Sequence, residues 1–462
     1  MAEPGLPENK QRIALVLSGG GSRGAYEAGV LSWLFENVYP KLREHFEFDI
    51  VSGTSVGAIH AAYVACSAGM KPVERARGLV ETWTNMRFDN VLRVSWMDLV
   101  GIPLRSMGFG RPQVRGTDAA PVVIGGLVDI APLEELVRTR IPWRHLRANL
   151  EAGRPSVLCT AVTEVNSGVV RIFLDGPGAD TTPWIHDPHV DAVITKITDL
   201  QVRASAAIPF LFPAVRIDRH YYVDGGLRLN TPLSPVVRLQ ADKVLLIGLK
   251  KHRVKTDRVE YCDAQTLTKP AFLLGKLLDV MLLDPIENEL RQLEIVNALL
   301  AGGTATLGED FVERIAPTLR AVRGVGYQPV EFFMQRPSED IGRIAADCYH
   351  RTNGDTGARG IVAALIKRSA TLGVPQDEAD FLSYIYFDST FTERLVELGR
   401  EDAKASGDHI LELLTADTQH RTRHGLAFHP NGLELWAGPR PAKVGLLQTL
   451  MTKPAATRHQ AS

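Results

Sequence analysis

The chain has 462 residues, of which 45% are hydrophobic and 23% are charged. A length of this order suggests two or three domains, and the composition is that of a globular protein rather than a disordered or fibrous one. Its 52 Lys and Arg residues balance 53 Asp and Glu residues, giving a formal net charge of -1. Because a broad nucleic-acid-binding surface requires a basic excess, no nucleic-acid partner is expected.

The cysteines and the N-terminus give little sign of secretion or metal binding. Four cysteines are scattered without a CxxC pair or a Cys/His ligand spacing, so neither a disulfide framework nor a zinc site is predicted. The first apolar stretch, 13–17, is too short for a signal-peptide core. No apolar run is long enough to span a bilayer. We therefore expect a cytoplasmic protein whose contact with a membrane, where it occurs, is peripheral.

The first quarter of the chain predicts two strand–turn–helix units. Residues 13–17 form an apolar run that ends at a glycine loop, and residues 23–38 have apolar side chains at helical spacing. A second strand, 48–52, leads through a glycine-rich turn into a helix over 58–66. Two such units in succession favour an α/β fold with a parallel or mixed sheet covered by helices.

Later elements are predicted from the same patterns. Residues 156–162 and 169–174 flank a turn and predict a β-hairpin. We predict one helix over 190–207 and strands over 215–223 and 243–249. Beyond about residue 250 helical patterns dominate, over 267–300, 341–349, 360–369 and 392–414.

The pentapeptide Gly53-Thr54-Ser55-Val56-Gly57 matches the G-x-S-x-G nucleophile elbow, with the preceding strand and following helix that the motif requires. Its glycines remove side chains that would clash in a tight turn. The turn therefore leaves the Ser55 hydroxyl beside a helix N-terminus, whose partial positive charge helps an oxyanion. The alternative is a turn whose serine only caps the helix.

The glycine loop Gly19-Gly20-Gly21-Ser22-Arg23-Gly24 allows two interpretations, a dinucleotide-binding fingerprint or an oxyanion hole made of backbone N–H groups. A dinucleotide site needs an acidic residue at the end of the second strand to bind the ribose hydroxyl. Ser52 and Gly53 stand there instead, and Asp49 lies at the start of that strand. The oxyanion hole is therefore favoured, and no nucleotide cofactor is expected.

The tripeptide Asp224-Gly225-Gly226 follows an apolar strand. Most Asp-Gly pairs are simple turns. A nucleophilic serine needs a base, however, and a carboxylate freed by two glycines at a strand end can approach a neighbouring elbow. A histidine is the conventional base, but His60 and His220 belong to no recognised motif and are interpreted as structural or surface residues.

Together with two further segments, these motifs resemble the bacterial branch of the patatin-like phospholipases over about residues 13–250. The further segments are Ala204-Ser205-Ala206-Ala207-Ile208-Pro209 and Asn230-Thr231-Pro232. The resemblance implies a three-layer α/β/α sandwich with a mostly parallel sheet. It also implies a Ser-Asp dyad, with Ser55 as the nucleophile and Asp224 as the base that takes its proton directly.

The resemblance further implies that the loop from Gly19 to Ser22 donates the oxyanion-hole N–H groups and that Arg23 orients this loop. Ser18 stands where many relatives carry Asp, so local bonding of the loop is expected to differ. No metal or organic cofactor is implied.

The implied organisation has four parts: a flexible N-terminus (1–12), a catalytic domain (13–250), a mainly helical region packed on that domain (251–418), and a loose tail (419–462). Phe332-Phe333-Met334 is predicted to form a strand in the third part. Two segments are candidates for lipid contact. Residues 88–112 combine aromatic and arginine side chains, with a lid as the alternative; residues 270–283 are apolar on most faces, with burial or a dimer interface as the alternative.

The function that the resemblance implies is hydrolysis of carboxylic ester bonds in phospholipids or lysophospholipids through an acyl-enzyme. One rival is a soluble esterase or thioesterase of small acyl substrates. The other is a non-catalytic interaction protein on a hydrolase fold. The intact Ser55, Asp224 and glycine loop weigh against the second rival. The sequence gives no oligomeric state.

Overall fold

A computed structural model describes residues 11–87, 91, 131–209, 212–251, 285–352 and 379–415. The strands are β1 (Ile13–Leu17), β2 (Ile50–Thr54), β3 (Val157–Glu164), β4 (Val170–Asp175), β5 (Val190–Ile194), β6 (Val215–Ile217), β7 (His220–Asp224), β8 (Lys243–Ile247) and β9 (Glu331–Gln335). The helices are α1 (Gly24–Asn37), α2 (Val56–Ser67), α3 (Pro72–Thr84), α4 (Ala131–Arg140), α5 (Leu146–Glu151), α6 (Asp199–Ser205), α7 (Gly226–Leu229), α8 (Leu233–Arg238), α9 (Pro285–Leu307), α10 (Phe311–Arg323), α11 (Ile341–Arg351), α12 (Ala379–Ile385), α13 (Ser389–Ala405) and α14 (Gly407–Thr415).

Several predicted segments lie outside the described residues. These are the segment 270–283, the helix 360–369, the tail 419–462, nearly all of the N-terminus 1–12 and, apart from Val91, the lid segment 88–112. None of the helices in the described ranges is both long and apolar enough to cross a membrane.

The strands form one sheet in the order β5-β4-β3-β2-β1-β8-β9. Every neighbouring pair in this series is parallel except β3 and β4, which form the predicted antiparallel hairpin. Strand β7 pairs antiparallel with β3 as well, and β6 pairs with β7. The prediction of a mostly parallel central sheet flanked by helices is confirmed.

The central strands β1, β2, β3 and β8 are buried along their whole length, which explains why they are near-continuous apolar runs in the sequence. Helix α2 packs against β1, β2 and β3. On the other face of the sheet, a core cluster joins alternate strand side chains, such as Val16 and Leu246, to apolar side chains of α8 and α9, including Val236 and Leu290. The sheet is thus covered on both faces.

Strands β2 and β7 meet end to end beside β3. In the parallel β2–β3 pair Thr54 lies opposite Ala161, and in the antiparallel β7–β3 pair Asp224 lies opposite Val162. Ala161 and Val162 are consecutive residues of β3. Since the two strands approach this point from opposite directions, the residue after β2 and the last residue of β7 are brought together by the sheet register.

The region after residue 250 contributes to the same sheet. Strand β9, which includes the predicted Phe332–Met334 strand, pairs in parallel with β8, and helix α13 packs against α1. The ammonium group of the buried Lys243 donates a hydrogen bond to the carbonyl oxygen of Leu413, 2.8 Å away. The expected helical C-terminal region is therefore confirmed, but it also supplies an edge strand to the central sheet.

Three predicted elements were wrong in extent. The predicted helix 190–207 is a strand followed by a helix, because Val190–Ile194 pairs with β4 and the capping box of Thr198 and Gln201 starts α6 only afterwards. The predicted strand 215–223 is a hairpin, because the chain turns at Asp218, whose φ is 54°. The predicted helix 392–414 is divided into α13 and α14.

Candidate active site

Ser55 lies between β2 and α2 with φ 56° and ψ -125°, a backbone conformation that residues with side chains rarely adopt. Both motif glycines are required by close contacts. A Cβ atom on Gly53 would lie 2.1 Å from the carbonyl oxygen of Gly57, and one on Gly57 would lie 2.3 Å from that of Leu17. Such strain persists only where the surroundings enforce it, and it is typical of functional sites.

The other elbow residues hold the turn in place. The hydroxyl of Thr54 donates to the carbonyl oxygen of Leu229 at 2.8 Å. Val56 packs against Gly24 so closely that a Cβ atom there would lie 2.5 Å from its Cγ2. The glycine at position 24 therefore lets the elbow and the glycine loop lie side by side.

Asp224 ends β7 and is 2% exposed, while Ser55 is 5% exposed. The N–H of Asp224 donates to the carbonyl oxygen of Ala207 at 2.9 Å, and the Oδ1 of Asp224 accepts from the N–H of Gly226 at 2.7 Å. A Cβ atom on Gly225 would lie 2.3 Å from the carbonyl oxygen of Ala161. The two glycines thus allow the chain to turn tightly against β3 while one of them binds the carboxylate.

Burial raises the pKa of the Asp224 carboxyl to about 7, and the hydrogen bonds from the Ser55 side chain and the Gly226 N–H oppose this rise. A carboxyl group with a pKa near neutrality can both accept and release a proton at physiological pH. The site therefore places a serine hydroxyl next to a proton acceptor of suitable basicity.

The glycine loop lies against Ser55, since a Cβ atom on Gly19 would be 3.0 Å from the Cβ of Ser55. The N–H of Gly19 donates to the carbonyl oxygen of Asn230 at 3.0 Å, and the side-chain amide of Asn230 donates to the carbonyl oxygen of Gly19 at 2.9 Å. By contrast, the N–H groups of Gly20 and Gly21 have no acceptor within the described part of the chain. These two groups are available to a ligand.

The outer side of the loop is held by the C-terminal region. The hydroxyl of Ser22 donates to the carbonyl oxygen of Ser383, and Nε of Arg23 donates to the Ser383 hydroxyl, each at 2.7 Å. The Arg23 guanidinium stacks 4.2 Å from the ring centroid of Tyr384. Gly21 has φ 58°, and a Cβ atom there would lie 2.2 Å from the Tyr384 carbonyl oxygen. No sequence motif had indicated Ser383 or Tyr384.

Ser18, which stands where many relatives were expected to carry Asp, bonds at three points. Its N–H donates to Oε1 of Glu27 at 2.7 Å, its hydroxyl donates to the carbonyl oxygen of Ile247 at 2.8 Å, and the same hydroxyl lies 2.8 Å from that of Thr231. Burial raises the pKa of the Glu27 carboxyl. A buried network thus anchors the start of the glycine loop.

His60 belongs to this network and not to the dyad. Its Nε2 accepts a hydrogen bond from Nε1 of Trp83 at 2.8 Å, so its proton lies on Nδ1, which is 2.7 Å from Oε2 of Glu27. Both ring nitrogens are therefore engaged. His220 is partly exposed and bonds through Nδ1 to Glu164. Neither histidine is available as a base for Ser55.

An apolar cavity opens beside Ser55 and Gly21. Two of its polar wall groups are bonded within the protein: the Tyr63 hydroxyl donates to the Arg75 carbonyl oxygen, and the Thr82 hydroxyl donates to that of Gly78, each at 2.8 Å. Most of the cavity lining is apolar, so it presents mainly hydrocarbon to a ligand. Its apolar lining includes Ile59, Leu79, Leu133, Phe212, Ile385 and Phe387.

A metal site is not found in the part of the chain that the structure describes, where no three His, Cys, Asp or Glu side chains are grouped to hold an ion. The chemistry that these residues can support is nucleophilic attack by Ser55, proton transfer to Asp224 and stabilisation of an oxyanion by loop N–H groups.

Comparison with known proteins finds a family model that matches the N-terminal half of the chain. Residues 15–237 match the family model for patatin-like phospholipase. The chain is 25% identical over 328 residues to patatin-like phospholipase domain-containing protein 7 of Rattus norvegicus, which covers 68% of this chain and 19% of the relative. It is 39% identical over 80 residues to an uncharacterized protein of Acanthamoeba polyphaga mimivirus, which covers 17% of this chain and 20% of the relative. The chain thus spans only a small part of both relatives.

Two solved structures are similar over most of the chain at low identity. VipD from Legionella pneumophila is 13% identical with a TM-score of 0.28, covering 85% of this chain and 67% of that one. Human GIVD cytosolic phospholipase A2 is 12% identical with a TM-score of 0.36, covering 87% of this chain and 59% of that one. The match to the family model for patatin-like phospholipase thus covers a little under half of this chain.

Proposed function

We propose that the protein is a lipid acyl hydrolase that cleaves carboxylic ester bonds of phospholipids or lysophospholipids through a Ser55–Asp224 dyad. The observation that carries this proposal is the sheet register that brings a serine on a strained elbow beside a buried carboxyl group whose pKa burial raises to about 7. The two histidines weighed from the sequence are bonded elsewhere. A carboxylate is therefore the base that the site offers.

In the first step the Ser55 Oγ attacks the ester carbonyl carbon, and its proton passes to Asp224. The N–H groups of Gly20 and Gly21, together with the positive end of α2, stabilise the resulting oxyanion. Collapse of the intermediate transfers the proton from Asp224 to the leaving alkoxide and leaves an acyl-enzyme. Water then attacks the acyl carbon and gives a proton to Asp224, and the fatty acid leaves as Ser55 regains its proton.

The cavity supports an acyl chain as the group bound beside Ser55. Its walls are mainly hydrocarbon, and the Tyr63 and Thr82 hydroxyls are bonded within the protein. The match to patatin-like phospholipase over residues 15–237 supports a phospholipid or lysophospholipid as the donor of that chain. Such a substrate requires contact with a lipid surface, which we propose is peripheral.

We also propose that residues 13–250 act as the catalytic domain and that residues 251–418 complete it. The second part is supported by β9, which extends the sheet, and by Ser383 and Tyr384, which contact the glycine loop. The glycine loop is thus in contact with residues far beyond the matched domain.

The test measures fatty-acid release from phosphatidylcholine vesicles and hydrolysis of a short-chain soluble ester. Native protein is compared with Ser55→Ala and Asp224→Asn at equal folded concentration, with His220→Gln as the matched control because that histidine lies on the same strand as Asp224. We expect both dyad variants to lose at least about 10³-fold in kcat and the control to keep it.

Activity on the soluble ester alone would assign the protein as a general esterase. Activity that survives Ser55→Ala would disprove the mechanism. Loss of activity in His220→Gln with the fold intact would contradict the dyad and restore a histidine to the reaction. Absence of turnover from the native protein on either substrate would instead favour a binding protein.

A further inference from the structure

The segment Ser205-Ala206-Ala207 contacts both members of the dyad. It belongs to the motif Ala204 to Pro209, which has no role in the mechanism described above. Ser205 is the last residue of α6, and its side chain is fully buried. Its Oγ lies 2.9 Å from the N–H of Ser55 and 2.7 Å from the carbonyl oxygen of Ala161. Two residues later, the carbonyl oxygen of Ala207 accepts the N–H of Asp224 at 2.9 Å.

The direction of both Ser205 hydrogen bonds is determined by the partners. A backbone N–H can only donate, so the Ser205 oxygen accepts from Ser55. A carbonyl oxygen can only accept, so the Ser205 hydroxyl proton points to Ala161. The hydroxyl thus links the elbow to β3 immediately beyond the last paired residues, Thr54 and Ala161.

This link lies where the backbone is most strained. Ser55 has φ 56° and ψ -125°, a conformation that persists only when neighbouring groups over-determine it. A hydrogen bond to the N–H of the strained residue itself restrains the direction of its side chain. The hydrogen bond from the Asp224 N–H to the Ala207 carbonyl oxygen restrains Asp224 in the same way. One three-residue segment therefore fixes the positions of Ser55 and Asp224 relative to each other.

We propose that Ser205 is a positioning residue for catalysis, which holds the Ser55 backbone so that its hydroxyl stays directed at Asp224. This inference rests on the proposed function, because it assigns Ser205 to the same reaction. A reacting group displaced by about 1 Å can lose about 100-fold in rate. Ser205 is therefore expected to act on kcat rather than on substrate affinity.

The test compares Ser205→Ala and Ser205→Cys with the native protein. The alanine variant removes both hydrogen bonds, whereas the cysteine variant keeps a side chain in the space but is a weak donor and acceptor. The matched control is Ser156→Ala, since Ser156 is also buried at the sheet and donates to a carbonyl oxygen, that of Asp49, at 2.7 Å. Ser156 precedes β3, at the end of that strand away from Asp224.

We expect kcat on a soluble ester to fall about 10- to 100-fold in both Ser205 variants, with KM within about threefold of native and the control close to native. The acid limb of the kcat/KM profile is a second readout. The Ser55 hydrogen bond lowers the pKa of Asp224, so loosening Ser55 should move this limb to higher pH. A purely structural role would lower the melting temperature without moving the limb.

The failures can be distinguished. If Ser55→Ala abolishes hydrolysis but Ser205→Ala and Ser205→Cys keep the native kcat and acid limb, the inference about Ser205 is wrong and the proposed function stands. If Ser205→Cys restores native kinetics while Ser205→Ala does not, Ser205 only fills space and the inference is also wrong. If Ser55→Ala retains hydrolysis, both proposals are overturned. Should Ser205→Ala fail to fold, the cysteine variant gives the same decision.

Discussion

The dyad side of the candidate site, formed by Ser55 and Asp224, and its loop side, formed by Gly20 and Gly21, are held in different ways. On the dyad side, backbone pairing with consecutive residues of β3 sets the positions of both residues: Thr54, just before Ser55, lies opposite Ala161, and Asp224 lies opposite Val162. On the loop side, the glycine loop is held from outside by Ser383 and Tyr384, contacts that cross more than 300 residues of sequence.

The two sides therefore differ in how finely their geometry can vary. A sheet register cannot change by a fraction of a residue, so the approach of Ser55 to Asp224 is set in discrete steps. The loop is restrained by side-chain contacts that single substitutions can weaken gradually. We therefore expect substitutions on the loop side to tune the reaction rate and substitutions on the dyad side to abolish it or alter its pH dependence.

After the loss expected from the dyad variants, the largest effect is expected from Gly21→Ala, which tests whether the loop side depends on its close approach to the C-terminal region. The new methyl group would lie 2.2 Å from the Tyr384 carbonyl oxygen, and the residue would keep a φ of 58°. Displacement of an oxyanion donor should lower kcat about 10²- to 10³-fold. The control is Gly153→Ala, where φ is 70° but nothing lies within 4 Å. Native kinetics in Gly21→Ala would show that the approach is unnecessary.

The next effect concerns pH and belongs to the dyad side. Asp224 must be ionised to accept the Ser55 proton, and burial raises its pKa to about 7. kcat/KM on a neutral ester should therefore fall about tenfold for each pH unit below this value and level off above it. A profile that stays flat down to pH 5 would exclude Asp224 as the base. Variants on the loop side should change the height of the profile without moving its midpoint.

A smaller effect is expected from Ser383→Ala, which removes the acceptor for Nε of Arg23. Loosening of the loop should lower kcat about three- to tenfold with KM unchanged, as measured on a soluble ester. The matched control is Ser32→Ala, because Ser32 likewise accepts a hydrogen bond from an arginine, Arg400, at 2.9 Å. Equal kinetic losses in both variants would mean that general stability, rather than the loop, is being measured.

The smallest effect is a gain in stability from Asp224→Asn. Since the folded-state pKa of Asp224 is raised from 3.8 to about 7, the folded protein holds this proton more tightly than the unfolded chain, and stability falls as pH rises through that window. The asparagine variant cannot ionise, so at pH 8 its melting temperature should exceed the native value by a few degrees. The difference should vanish near pH 4; a difference that persists there would have another cause.

The sequence predicted the parts of the site that local backbone geometry dictates. Gly53, Gly57 and Gly225 are required because a side chain would collide with nearby carbonyl oxygens, and a requirement of this kind leaves a recognisable motif. The hairpin of β3 and β4 and the strand β9 were likewise visible as apolar runs bounded by turns.

Other parts could not be predicted because their causes are not local. The contact between Ser55 and Asp224 depends on which strands pair beside β3, and no pattern within β2 or β7 specifies this pairing. The assignment of Ser55 and Asp224 to one dyad came instead from the family resemblance. Ser383 contributes one hydroxyl and one carbonyl group to the glycine loop. Neither group requires particular residue types at fixed positions around Ser383, so no sequence motif marks it. The helix predicted over 190–207 was wrong because Val190–Ile194 is stabilised by β4, outside the window that shows periodicity.

The contact between Gly21 and Tyr384 also has a consequence for biosynthesis. The ribosome adds residues from the N-terminus, so a growing chain carries Ser55 and Asp224 well before it carries the helix that holds the glycine loop. Contacts so distant in sequence close late in folding. A nascent or truncated chain that ends before Ser383 therefore lacks the outer support of its loop, and full activity should arise only after the C-terminal region has been translated.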